Sequence, residues 1–284
     1  MKKSISILLA AVLLAVSLLS LASCGDKVKP ENDLDNIKKA GVLKVGMECA
    51  YAPYNWTQTA AADTAVKLSN GAYADGFDVQ IARKIADALG VTLEIVPTEW
   101  DGLIPSLQSG SIDMVIAGMS PTAERKLSID FSDTYFDSNL VIVVKKDGAY
   151  AAAKSLADFS GAKITAQLNT FHYNVIDQIT GVNKQTALQD FAALIQALDS
   201  GAADGYVCEK PGAVSAVASN PSFAFVEFEG TNGFTCDPAD SSISVGLRKG
   251  SSLTAEVNKI LAGISKADRE TMMDAAIARQ PAED

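Results

Sequence analysis

Gly118-Met119-Ser120-Pro121-Thr122-Ala123-Glu124-Arg125 is the stretch on which the reading of this chain turns. The apolar run Asp113-Met114-Val115-Ile116-Ala117 leads into it and predicts a buried parallel strand. Gly118 allows the backbone to come close to a neighbour. Ser120 followed by Pro121 predicts a helix start, because serine caps well and proline suits the first helical position. A strand end, a free hydroxyl, a helix N-terminus and a guanidinium then meet within one short segment. That set can hold a carboxylate through fixed N–H donors, a positive dipole end and a bidentate fork. Read locally, Arg125 serves equally well as a solvated helix charge paired with Glu124.

The segments on either side repeat one pattern. Val42 to Met47 predicts a strand with Gly46 near its end, followed by the aromatic loop Glu48-Cys49-Ala50-Tyr51-Ala52-Pro53-Tyr54-Asn55-Trp56. Residues 57–75 are small and polar and predict a surface excursion. Phe77, Ile81, Ile85 and Leu89 recur every fourth residue, so a helix is expected up to Gly90. Val91 to Val96 is a strand closed by Pro97, with Trp100 just beyond. Strands alternating with helices predict a mostly parallel sheet with helical faces.

After the break at 145–154 the same unit restarts. Ala162 to Ala166 reads as a strand, Gln167-Leu168-Asn169 as a turn, and Thr170 as the cap of a helix to Ile179. Tyr206-Val207-Cys208-Glu209 reads as a strand end. No sequence repeat is present, but the architecture echoes itself, and two α/β lobes with a ligand at their strand ends is the natural reading.

The N-terminus carries a separate signal. Lys2 and Lys3 precede an apolar stretch from Ile5 to Leu21, and Leu21-Ala22-Ser23-Cys24 follows. Residues 1–23 read as a secretory signal peptide, and Cys24 resembles a lipobox cysteine that would be lipidated. An uncleaved membrane anchor is the other reading of this stretch. Residues 24–35 are a polar tether, and lipid on Cys24 would hold a folded body to the outer face of the membrane.

The net charge of −10 argues against nucleic acid or anionic lipid as partner. Cys49, Cys208 and Cys236 form an odd set, so at least one thiol is unpaired or bonds another chain. Their spacing fits no metal, and nothing calls for a cofactor. His172 is the single histidine and is expected on a helix surface.

The chain resembles the extracytoplasmic solute-binding proteins of polar amino-acid ABC transporters, bacterial solute-binding protein family 3. The marks are Leu-Lys-Val-Gly at 43–46, Tyr-Ala-Pro-Tyr at 51–54, Gly-Phe-Asp-Val-Gln-Ile-Ala at 76–82 and Trp-Asp-Gly-Leu-Ile-Pro-Ser-Leu at 100–107. Ala-Gly-Met-Ser-Pro-Thr-Ala-Glu-Arg-Lys at 117–126 and Asp-Phe-Ser at 130–132 complete them.

The resemblance implies an α/β, periplasmic-binding-protein type II-like fold, with lobe two inserted in lobe one and a two-strand hinge. Lobe one is expected over 36–139 and 240–284, and lobe two over 140–239. It implies that Arg125 grips a ligand α-carboxylate, that Gly118 and Ser120 hold the α-amino and carboxylate groups, and that Thr170 reaches the carboxylate from lobe two. Glu209 would bind the α-ammonium. Tyr51 and Trp100 would sandwich the ligand side chain, and Glu48 and Gln167 would read it. Leu168-Asn169 and Phe171 depart from the family pattern around Thr170.

A zwitterion needs a cation and an anion a few ångströms apart, and Arg125 and Glu209 supply one from each lobe. Glu48 is then a surplus charge that suits lysine, arginine or ornithine, with cation–π support from the rings. If Glu48 instead pairs with a protein group, glutamine or cystine fits better, and Trp100 could simply be packed. The expected partners are a free amino acid and an ABC permease, and the expected state is a monomer, lipid-anchored or periplasmic. A dehydratase-like enzyme and a sensor or adhesin on the same fold are the rival readings. No Gly-x-Ser-x-Gly elbow or second histidine supports the enzyme.

Overall fold

The computed structural model describes residues 29–281. The signal peptide expected over 1–23, the lipid site at Cys24 and the first part of the tether lie outside the described residues. The tether expected through Asp35 gives way sooner to folded structure, because Asp33–Ala40 is helical. Asp33 is buried and receives the Arg248 guanidinium, with Nη2 at 2.9 Å, while the Ser251 hydroxyl donates to it at 2.6 Å. The same guanidinium donates to the Ile112 carbonyl at 2.6 Å, so one buried pair fastens the first helix to the body. No helix among the described residues is long and apolar enough to cross a membrane.

Two five-stranded sheets carry the two lobes. The first runs in the order Thr92–Pro97, Val42–Met47, Met114–Val115, Ser242–Leu247, Asp130–Asp137. The second runs Asn183–Lys184, Lys163–Thr165, Gly205–Glu209, Leu140–Lys145, Phe223–Val226. In each, the first two pairings are parallel and the last two antiparallel, so the sheets are mixed and not mostly parallel. The antiparallel members include Leu140–Lys145 and Ser242–Leu247, the strands by which the chain enters the second sheet and returns to the first. The two crossings lie side by side, and Ser138 N donates to Ser241 O at 3.1 Å.

Residues 57–75 are not a plain surface excursion. Ala50–Tyr51, Asn55–Gln58, Tyr73–Asp75 and Val66–Lys67 form a small antiparallel sheet, with Leu68 and Ala74 buried beneath it. The helix Phe77–Leu89 follows the expected spacing: Phe77, Ile81, Ile85 and Leu89 are buried, and Gly90 ends it at φ 72°. Each such side chain withdrawn from water stabilises the fold by about 1.5–3 kcal/mol. The largest apolar core is continuous between the lobes through Tyr51, Phe191 and Tyr206.

Candidate functional site

The site assembles at the carboxyl ends of parallel strands from both sheets. Glu48 and Tyr51 follow Val42–Met47, Trp100 follows Thr92–Pro97, and Gly118 and Ser120 follow Met114–Val115. From the other side, Gln167 and Thr170 follow Lys163–Thr165, and Glu209 ends Gly205–Glu209. Strand ends that converge in this way leave a crevice that no single sheet fills. Tyr51, Trp100, Gly118, Ser120, Arg125, Gln167, Thr170 and Glu209 line one small cavity, together with Ala117, Phe171 and His172. Eight of the nine expected residues are thus brought together. Glu48 is not among the lining residues but bonds one of them. A larger and more open groove lies beside Asp130 and Lys249.

The helix beyond Gly118 begins later than the Ser120-Pro121 pair predicts. It spans Ala123–Ser128, and its cap is Thr122, whose hydroxyl accepts from Arg125 N at 3.3 Å. Ser120 is free of capping; its carbonyl accepts from Arg125 Nη1 at 3.0 Å, which aims the guanidinium. Gly118 has φ 60°, and a Cβ there would stand 3.2 Å from the Tyr51 ring, so only glycine passes at this point without strain. Burial lowers the Arg125 pKa to about 10, against the pull of Glu209, Glu124 and Asp240, and leaves it a cation at neutral pH.

Thr170 also departs from its expected role. It precedes the helix Phe171–Val175, shorter than expected and continued by a tighter turn over Ile176–Gln178, but its hydroxyl donates back to the Gln167 carbonyl at 2.7 Å and caps nothing. The Asn169 departure has a physical role. Asn169 takes φ 56°, and its carbonyl accepts from Arg125 Nη2 at 3.2 Å and from Trp100 Nε1 at 3.4 Å. Its own side chain donates to Asp101 at 2.8 Å. One turn residue of the second lobe therefore ties down three residues of the first.

The rings are engaged by protein groups. Tyr51 stacks on Phe191 with centroids 3.9 Å apart, and the Arg125 guanidinium lies 5.0 Å from the Trp100 ring centre. These contacts differ from an aromatic pair open on both inner faces. Glu48 accepts from Gln167 Nε2 at 2.9 Å. Burial raises its carboxyl to about 7, helped by the charges of Asp190, Glu99 and Asp101 and opposed by Gln167.

Glu209 is buried at 1% exposure. Its carboxylate accepts from the Tyr51 hydroxyl, and His172 Nε2 lies 2.9 Å from it. Burial pushes the carboxyl up, but the His172 charge and the contacts from His172 and Tyr51 outweigh it, so it sits below the usual range. The placement of His172 corrects the surface position expected from sequence: it is 5% exposed and lines the cavity. No motif flags it, since its neighbours in sequence form neither a metal nor a triad pattern.

Sequence reasoning also missed Asp78. It is fully buried, accepts from the Tyr135 hydroxyl at 2.8 Å and from Asn55 at 2.9 Å, and is hydrogen-bonded by the Gly118 backbone. Asn55 in turn accepts from Cys49 N at 2.7 Å, so the network braces both first-lobe loops of the site. Cys49, Cys208 and Cys236 are unpaired. Burial pushes the Cys49 thiol up to about 12, which makes it a packed group and not a nucleophile.

Two lobes joined by paired crossings, with a small polar cavity between their strand ends, define a hinged ligand-binding protein. The profile of the bacterial extracellular solute-binding proteins, family 3, matches residues 43–273, and the chain belongs to that family. It is 33% identical to a probable histidine-binding protein of Campylobacter jejuni over 80% of this chain and 84% of that one. It is 34% identical to the L-cystine-binding protein TcyA of Bacillus subtilis over 69% of this chain and 70% of that one. Among solved structures, an amino acid ABC transporter substrate-binding protein of Streptococcus pneumoniae bound to L-arginine superposes with a TM-score of 0.76, at 27% identity, covering 87% of this chain and 98% of that one.

Proposed function

We propose that this protein binds a free L-amino acid outside the cell membrane and delivers it to an ABC permease by hinged closure. The observation that carries the reading is that Arg125 and Glu209 come from opposite lobes and line one cavity. A zwitterion bridging them would favour the closed arrangement, since each end is satisfied only when both lobes meet it. Charged hydrogen bonds of this kind are worth roughly 1.5–3 kcal/mol each. In this reading Gly118, Ser120 and Thr170 complete the grip on the α-groups, and lobe two is the insertion over 140–239.

Lysine, arginine or ornithine is the preferred class. Glu48 supports it, because a cation brought up to Gln167 would draw the Glu48 carboxyl into its charged form. A neutral polar ligand such as glutamine or cystine is favoured instead by two observations: Glu48 stands behind Gln167 and outside the lining, and its carboxyl holds its proton up to about pH 7. Export through the 1–23 leader and lipid on Cys24 would place the site outside the membrane. The protein acts as a monomeric carrier and not as an enzyme, in keeping with relatives named as binding proteins.

A melting-temperature screen over the common amino acids, cystine and ornithine tests the reading. A true ligand raises stability by mass action, by about 2.7 kcal/mol at a hundredfold excess over Kd. Recovery of the ligand unchanged is expected. Formation of a product would favour a dehydratase-like activity, and silence from every amino acid would overturn the proposal.

A further inference from the structure

His172 is the one buried ionisable group of the cavity that the proposed grip on a zwitterion leaves without a task. It lines the same cavity as Arg125 and Glu209 and is 5% exposed. Its Nε2 lies 2.9 Å from Glu209, and its Nδ1 has no hydrogen-bond partner among the described residues. A buried polar atom without a partner is costly and rarely kept without a use. Phe171 packs its ring 4.3 Å from the imidazole and shuts water from that side.

The carboxylate that would receive a ligand's ammonium is therefore already held by two protein groups, the Tyr51 hydroxyl and the His172 imidazole. Tyr51 is neutral, with burial and the Glu209 charge both pushing its phenol up, so it can share the carboxylate with a cation at little electrostatic cost. An imidazolium cannot share it so easily. Two cations beside one carboxylate, with Arg125 a third in the same cavity, repel one another in a medium of low dielectric.

We infer that His172 is the counter-cation of Glu209, and that a ligand's ammonium takes its place by driving its proton into solvent. This rests on the amino-acid reading above. The proton leaves a ring nitrogen for water or buffer, the imidazole becomes neutral, and the ammonium restores the charge balance at Glu209. Groups of both signs surround the pair. Arg125 faces it from the first lobe. Asp78 and the neutral Tyr54 and Cys208 feel the Glu209 charge from behind, and Glu48 stands beyond Gln167. Affinity for any amino acid should then weaken as pH falls. A ligand carrying no α-ammonium would escape this penalty.

The chain has a single histidine, so its imidazole resonances report on this residue with no assignment to make. The experiment is an NMR pH titration of the untagged protein, with and without the best amino acid from the melting screen. The inference expects the ligand to lower the titration midpoint of His172 by at least one pH unit, equivalent to about a tenfold preference of the ligand for the neutral form. It also expects Kd to weaken below the midpoint of the free protein, and this dependence to be lost in His172→Gln. An unchanged or raised midpoint would overturn the inference while leaving amino-acid binding intact. A wild-type protein that binds no amino acid would overturn the functional reading itself.

Discussion

The Tyr51 hydroxyl donates to the Glu209 carboxylate across the cleft, tying a first-lobe loop to the last residue of a second-lobe strand. Tyr51 is held in place for this by Phe191 on its face and by Gly118 and Gly212, where a Cβ would come within 3.2 and 3.1 Å of its ring. The contact bridges the two lobes, so it bears on closure as well as on the charge of Glu209. Tyr51→Phe keeps the stacking and removes the donor. A bond to a charged acceptor is worth roughly 1.5–3 kcal/mol, so we expect amino-acid binding at least tenfold weaker, read by calorimetric titration, with little change in the fold by circular dichroism.

Glu48 makes stability depend on pH in a stated direction. In the folded chain its carboxyl holds a proton up to about 7, against an ordinary 4.5. Between those values the folded state binds more protons than the unfolded chain, so stability falls as pH rises through the window. Glu48→Gln keeps an oxygen for Gln167 and cannot ionise. It should melt higher than wild type at pH 8 and no higher at pH 4. Asp78, also raised to about 7, supplies the same trend in both proteins and cancels in the comparison.

Gly118→Ala tests the close approach at the site. The residue sits at φ 60°, where a side chain costs roughly 1–2 kcal/mol, and its Cβ would press on Tyr51 at 3.2 Å. A lower melting temperature and weaker binding of every amino acid are expected together. Binding at wild-type strength would show that Tyr51 has room to move.

Asp33→Ala tests whether the N-terminal helix belongs to the folded body. Removing Asp33 leaves the buried Arg248 charge with Asp113 alone, at 3.4 Å, and breaking a buried pair costs about 3–5 kcal/mol. Urea unfolding should show a loss of that order. A loss below 1 kcal/mol, roughly the value of an exposed pair, would mean that the helix frays freely.

Much of this was legible in the chain. The helix Phe77–Leu89 announces itself by spacing and by Gly90, because an amphipathic stripe records which face will be buried. The small sheet over 50–75 did not, since its strands are two to four residues long and polar, too short to establish a period. Ser120-Pro121 looked like a helix start by local rules, yet Thr122 won the cap. Site residues were singled out where the chain resembles the family's motifs, and eight of the nine line one cavity. His172 and Asn169 were not, because their roles depend on what the other lobe places over them. A linear sequence does not record which surfaces will meet.

The central claim is that Arg125 and Glu209 form the two ends of a clamp for a zwitterion, one from each lobe. Its most direct test leaves the protein untouched and alters the ligand. The best amino acid is titrated calorimetrically against its N-acetyl and its carboxamide derivatives. The account predicts that either modification weakens binding at least tenfold, since each removes one end of the clamp and leaves a buried charge facing a neutral group. Binding of either derivative at the strength of the parent amino acid would contradict it.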